Sequence, residues 1–288
     1  MSFGELNFSK KLRGRKVTDD SSIPEKLTRR HCTARVAEVF DITGKLTPLT
    51  VTFKMDLHDL ISRKLNWDDV LPDNLRALWV SHFKMIEEIN SIRYRRAIIP
   101  EDAIDLDLET LDFGDASKSA ACAAIYARFK RKNGAHSSQL VLSRSQLVPE
   151  EFSQPRAELH AAVLCTHTGE IVRKSFHKHH RKSFKFTDSQ IVLHWISNEE
   201  RPLKQWVRNR VLEIKRFTEP ESWLYLYSKD MIADIGTRRG SKIQDVNNES
   251  FPTLSVKQIT INSQEVAEMK KEMSYQDIKR CKVERVQM

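Results

Sequence analysis

Apolar residues take up a helical spacing from about Lys26 onward. In LTRRHCTARVAEVFD the positions Leu27, Val36, Val39 and Phe40 are interleaved with arginine-rich faces, and Gly44 and Pro48 then interrupt the pattern. Helical spacing resumes from Val51 to Leu65 through Phe53, Leu57, Leu60 and Ile61. Asp73 is placed to cap a further helix in which Leu75, Leu78, Trp79, Phe83 and Ile86 recur at threes and fours. The pattern predicts a basic, extended or poorly ordered lead-in over 1–25 and an all-helical module over 26–105.

Near Leu106 the period changes to two. Leu106, Leu108, Leu111 and Phe113 predict a first strand that ends at Gly114-Asp115-Ala116-Ser117, and the small-residue run from Ser119 to Phe129 predicts a second. Asn133-Gly134 supplies the positive φ angles of a tight hairpin, so Gln139 to Leu147 returns as the third strand of an antiparallel meander. Pro155 suits a first helical turn and opens a helix through Lys174. Ser183 to Thr187 is a fourth strand, followed by a helix through Ile196 that Asp188 would cap. A helix over Leu203 to Phe217 and a strand over Trp223 to Tyr227 complete the series. That order predicts an α/β layer over 106–240, with three antiparallel strands, two more strands and flanking helices. The tail, 241–288, carries a possible capping box at Asn262 and Glu265 and predicts short helices with little core.

Composition narrows the function. The 288 residues include 48 Lys or Arg against 39 Asp or Glu, a formal charge of +9 that favours a polyanionic partner. The longest apolar run, Ala120 to Ala127, is far short of the roughly 20 residues that cross a bilayer, so no membrane span is expected. The eight glycines have neither the G-x-G-x-x-G nor the Walker spacing, which excludes those two phosphate cradles. Cysteines at 32, 122, 165 and 281 form no C-x-x-C pair and read as reduced thiols. With no secretory signal pattern at the start, an intracellular location is expected, in cytoplasm or nucleus.

Four acidic residues fall where this layout brings side chains together. Asp115 ends the first strand, Glu158 lies in the first turn of the following helix, Asp188 follows the fourth strand, and Asp234 follows the fifth in MIADIGTRRG. Taken singly, each is an ordinary turn acid, helix cap or surface residue. Carboxylates drawn that close would repel one another unless divalent cations neutralised them, and hard oxygen ligands suit two ions of Mg²⁺ or Mn²⁺. Such a pair is the apparatus of in-line phosphodiester hydrolysis.

The stretches FGDAS, PRAELHAAV, FTDSQIVLHWI, VRNRVLEIKR and MIADIGTRRG resemble the RNase H domain of Bel/Pao-type LTR retrotransposon polyproteins. KLTRRHCTARVAEVFDITGKLTP and LNWDDVLPDNLRALW resemble the segment that joins reverse transcriptase to RNase H in the same polyproteins, so the likeness covers roughly residues 25 to 240. The resemblance implies an RNase H-like fold behind a helical connection module. It also implies Mg²⁺-dependent cleavage of the RNA strand of an RNA–DNA hybrid, with Asp115, Glu158, Asp188 and Asp234 as both the catalytic and the metal-holding set. The remainder of a reverse transcriptase is an implied partner. The chain departs from the family at Asp41-Ile42-Thr43-Gly44, where Asp-Pro and a Leu-Gly pair are usual, and it has no polymerase Tyr-x-Asp-Asp, aspartic-protease Asp-Thr-Gly or integrase His-His-Cys-Cys set. Nor does any histidine stand between Tyr225 and Gly240, where some RNase H enzymes carry one for product release.

Two basic stretches are candidate nucleic-acid contacts. Residues 171–186 hold six Lys or Arg and no acid, with Arg181 and Lys182 at the centre of interest, and Lys204, Arg208 and Lys215 share one face of a helix whose other face is apolar. His177, His179 and His180 make a poor zinc set in a basic loop without cysteine, and suit structural or phosphate-contacting roles instead. Three functions remain in view: an RNase H-type endonuclease within a retroelement polyprotein, a catalytically idle nucleic-acid-binding or interaction remnant of the same element, and a transposase or integrase core. The last normally places its final carboxylate as a Glu on a late helix. Here the Glu is second in order, which favours RNase H.

Overall fold

The computed structural model describes residues 5–6, 23–89, 92–95, 97–197, 203–243 and 246. The predicted tail helices, most of the lead-in and Cys281 lie outside them. Contacts divide the chain into a helical unit, up to residue 97 together with 238–246, and a sheet unit over 98–237. The sequence pattern placed these boundaries near 105 and 240. They fall earlier because Ala103 bridges Arg131, Asp102 pairs with Arg131 at 2.7 Å, and Gly240 N–H donates to Thr52 Oγ1 at 3.2 Å.

The helical unit contains strand β1 (Glu5–Leu6), helices α1 (Arg29–Ala37), α2 (Thr47–Ser62) and α3 (Asp73–Ile89), and strand β2 (Tyr94–Arg95), which pairs antiparallel with β1. Thr28 caps α1: its Oγ1 accepts from His31 N–H at 3.4 Å, and the His31 ring accepts from Thr28 N–H in return. Pro48, read from the sequence as a breaker, instead occupies the first turn of α2, where its missing N–H costs no hydrogen bond. Leu27, Cys32, Leu60, Trp79 and Phe83 form one buried cluster of this unit, and Leu46, Leu49, Phe53, Ile86 and Ile89 form another.

The sheet unit comprises β3 (Leu108–Ala116), β4 (Ala120–Lys130), β5 (His136–Leu147), α4 (Gln154–Ser175), β6 (His180–Thr187), α5 (Gln190–Ser197), α6 (Gln205–Lys215) and β7 (Trp223–Tyr225). The sheet order is β5-β4-β3-β6-β7. β3, β4 and β5 form the antiparallel meander, and β6 and β7 add parallel to β3. Leu106, expected in the first strand, is half exposed and precedes it, because the ladder starts at Leu108. Gly134, at φ 80°, makes the predicted β4–β5 turn.

Small residues set the spacing between helix and sheet. β4 presents Ala121 and Ala123, both buried, and α4 answers with Ala157, Ala161, Ala162 and Cys165. On β3, a β-carbon added to Gly114 would lie 2.9 Å from Cys165 Cβ and 3.2 Å from the Ala161 carbonyl oxygen. Only a glycine there lets α4 lie this close. On the sheet, Phe113 and Phe186 are register partners whose rings stack at 4.9 Å.

Candidate metal-binding site

The parallel pairing of β3 with β6 builds the site. Register partners Phe113 and Phe186 each stand two residues before an acid, so Asp115 and Asp188 leave the same edge of the sheet together. The close seat of α4 brings Glu158 to that edge, where it is the fifth residue of the helix and not in the first turn as the sequence suggested, because α4 starts at Gln154. One ligand oxygen from each of Asp115, Glu158 and Asp188 lies within 4.8 Å of the others. Asp115 and Glu158 are buried, and Asp188 is half-buried.

Burial, and then the charges of Asp188 and Asp234, push the Asp115 carboxyl up to about 7. Burial, and then the charge of Asp115, push Glu158 up to about 8, against a hydrogen bond from Gln154 that opposes the shift. Glu158 Oε2 is buried with no hydrogen-bond partner. Among the described residues no lysine or arginine pairs with any of the three carboxylates. Clustered, desolvated acids with an orphaned oxygen and no counter-charge fit a site for hard divalent cations.

Asp234, the fourth expected member, lies half-buried in a 3-10 turn over Ile232–Gly236. It stands outside the group of three converging oxygens, although its charge is felt at Asp115. Asp188 does not cap α5 as the sequence suggested. Ser189 Oγ takes the Val192 N–H at 3.4 Å, and Asp188 Oδ2 instead accepts from Ser228 at 2.6 Å.

The basic candidates separate. Lys204 is the N-cap of α6 and, like Arg208, is exposed, whereas Lys215 in the last turn is half-buried. Trp206 carries the Arg210 guanidinium 3.7 Å from its ring centre, with Arg156 at 5.2 Å and the Phe152 ring edge-on. Arg181 and Lys182 sit at the start of β6. Lys182 stands six positions before Asp188, about 20 Å of extended chain, so Arg181 and Lys182 lie toward the other end of the strand from the acids. Arg181 pairs there with Asp107 at 2.5 Å, and Lys182 lies over the Phe184 ring at 4.7 Å. His177 contacts the Lys174 carbonyl at 3.2 Å, and His180 Nε2 contacts Ser183 Oγ at 2.9 Å.

Sequence reasoning missed three residues at the site. Gln154, Ser228 and Thr237 each reach one of the clustered carboxylates. Gln154 stands four residues before Glu158 on α4, a helical spacing that could have pointed to it, whereas the spacing of Ser228 and Thr237 from their acids carries no periodic signal.

A mixed five-stranded sheet flanked by helices, with acids gathered where two parallel strands end, defines an RNase H-like fold. The chain belongs to the Pao retrotransposon-like RNaseH-like domain family, whose model matches residues 28–189, more than half of its length. That match includes Asp115, Glu158 and Asp188, and Asp234 lies beyond it. No curated protein sequence matches the chain. Among solved structures it is similar to the N-terminal RNase H domain of a Mycobacterium tuberculosis protein fused to maltose binding protein, at 8% identity over 43% of this chain and 86% of that one, with a TM-score of 0.30. It is also similar to an RNase H of the halophilic archaeon Halobacterium salinarum NRC-1, at 11% identity over 44% and 90%, TM-score 0.29. A third likeness is to the foamy viral protease-reverse transcriptase in complex with double-stranded DNA, at 12% identity and TM-score 0.34, covering 69% of this chain and about a third (34%) of the viral one. No helix among the described residues is long and apolar enough to cross a membrane.

Proposed function

We propose that this chain is an RNase H-type endonuclease of a retroelement, hydrolysing the RNA strand of RNA–DNA hybrids by two-metal catalysis. The observation that carries the reading is the convergence of Asp115, Glu158 and Asp188, with an orphaned Glu158 oxygen and, among the described residues, no lysine or arginine paired with them. These three, with Asp234 from the neighbouring turn, would hold two Mg²⁺ or Mn²⁺ ions. When bound, the ions supply an activated water and stabilise the leaving oxygen. The carboxylates fix where that chemistry takes place, and the Lys204 and Arg208 face of α6 offers charge for backbone phosphates. An intracellular setting and a partnership with the remainder of a reverse transcriptase belong to the same proposal.

The second reading, a catalytically idle remnant that still binds nucleic acid, is favoured by one observation: Asp234 stands outside the converging group. Purified protein with Mg²⁺ and a labelled RNA–DNA hybrid separates the two. Cleavage of the RNA strand, lost in Asp115→Asn and absent on duplex DNA of the same sequence, is the expected result. Hybrid binding without cleavage would establish the remnant, and equal cutting of duplex DNA would favour a transposase-like enzyme.

A further inference from the structure

Each of the three converging carboxylates has one oxygen held by a neutral side-chain donor, and each donor comes from a different element. Gln154 Nε2, at the start of α4, donates to Glu158 Oε1 at 2.6 Å and to the Ala116 carbonyl at 2.8 Å. Ser228 Oγ, in a 3-10 turn just past β7, donates to Asp188 Oδ2 at 2.6 Å. The Thr237 hydroxyl lies 3.1 Å from Asp115 Oδ2 and 2.8 Å from the Asp234 carbonyl oxygen. Thr237 is buried, and its own carbonyl accepts from Ser117 Oγ at 2.8 Å, so its position is fixed from two sides.

The charge logic follows from the donor type. A lysine or arginine in any of these three places would cancel carboxylate charge and compete with a bound cation. An amide or hydroxyl orients the carboxylate and leaves its charge intact. One oxygen of each acid is thereby tied down without a positive charge that would compete with a divalent ion.

We propose that Gln154, Ser228 and Thr237 are positioning residues that set the metal affinity of this site, with Thr237 also coupling Asp115 to the turn that bears Asp234. The proposal rests on the metal-site reading given above. Its chemistry predicts a specific pattern. Removing a donor frees a carboxylate to rotate, so the ions bind more weakly, yet the ligand set survives and activity returns at high metal concentration. A residue that merely supports the fold would lower the melting temperature without moving the metal dependence.

The test uses the full chain and Mn²⁺ alone as probe, with bound ion counted by electron paramagnetic resonance of the free ion. Ser228→Ala, Thr237→Val and Gln154→Met should each raise the Mn²⁺ dissociation constant by about tenfold or more, the usual effect of losing a group that orients a metal ligand. Thr237→Ser, which keeps the hydroxyl, should stay within about twofold of the parent. Hybrid cleavage by the three deletion variants should need correspondingly more Mg²⁺ for half-maximal rate while approaching the parental rate at saturation. Asp188→Asn serves as control. If it loses Mn²⁺ while the three deletion variants bind as the parent does, the positioning role is overturned and the metal site stands. If the parent itself binds no Mn²⁺, the metal-site reading fails and takes the inference with it.

Discussion

A β-carbon on Gly114 would stand 2.9 Å from Cys165 Cβ, nearer than packed side chains approach one another. The two residues join β3 to α4, and α4 carries Glu158 near its start, so this contact sets how near Glu158 comes to Asp115. Gly114→Ala should therefore push α4 away from the sheet. Overpacking of this kind costs about 1–3 kcal/mol, readable as a lower midpoint in urea. Mn²⁺ affinity should fall with it, and an unchanged affinity in a stably folded variant would separate the helix seat from the site.

The buried pair of Lys185 and Asp112 joins β6 to β3, and Gly169 leaves the room above it. Lys185→Met strands a buried carboxylate and should destabilise the fold by about 3–5 kcal/mol. Adding Asp112→Leu should restore most of that loss, since an apolar pair of similar volume carries no desolvation penalty. Chemical denaturation of the two variants checks the order. A double variant no more stable than the single would show that the pair contributes more than mutual neutralisation.

The raised carboxyls at Asp115 and Glu158 make stability depend on pH in a direction opposite to that of a salt-bridged acid. A carboxyl raised to about 7 or about 8 keeps its proton in the folded protein where the unfolded chain has released it. The stabilisation is complete below the ordinary carboxyl range near pH 4 and is lost as pH rises through 7 to 8, by an amount on the order of a few kcal/mol. Metal-free protein should melt lower at pH 8 than at pH 6, and Glu158→Gln should reduce that difference. Mg²⁺ should recover stability most at the upper end of the window. A pH profile identical in parent and variant would count against the buried, mutually repelling acids.

Lys204, at the N-cap of α6, and Arg208 within it are exposed. Replacing both by Ala should weaken hybrid binding and reduce the log–log salt slope by up to about two phosphate contacts, each worth roughly 0.7 to 0.9. Cleavage at saturating hybrid should change little. An unaltered slope would mean that this face is only solvated.

Much of this molecule was legible in the chain. The Asn133-Gly134 turn and the threes and fours of α3 are local signals, the first a backbone preference and the second a record of which helix face is buried, whereas β3 is buried on both faces, Thr110 and Asp112 included. The four acids were legible as candidates because the layout read from the sequence set each near the end of an element, and the structure brings three of them together. Arg181 and Lys182 were legible as charge, but not their position at the start of β6, away from the acids. That depends on strand direction and length.

What the tertiary structure decided are relations between residues far apart in sequence. The β3–β6 register puts Asp115 beside Asp188 and Asp112 against Lys185, pairs 73 residues apart that no periodicity connects. The same closure brings Thr237 to Asp115 across 122 residues and Ser228 to Asp188 across 40. Ser and Thr commonly satisfy themselves with local backbone in turns, so nothing in the identity of Ser228 and Thr237 foretold these partners. The acids advertise a site by being costly to bring together; Ser228 and Thr237, which hold two of them, become visible only when the sheet has closed.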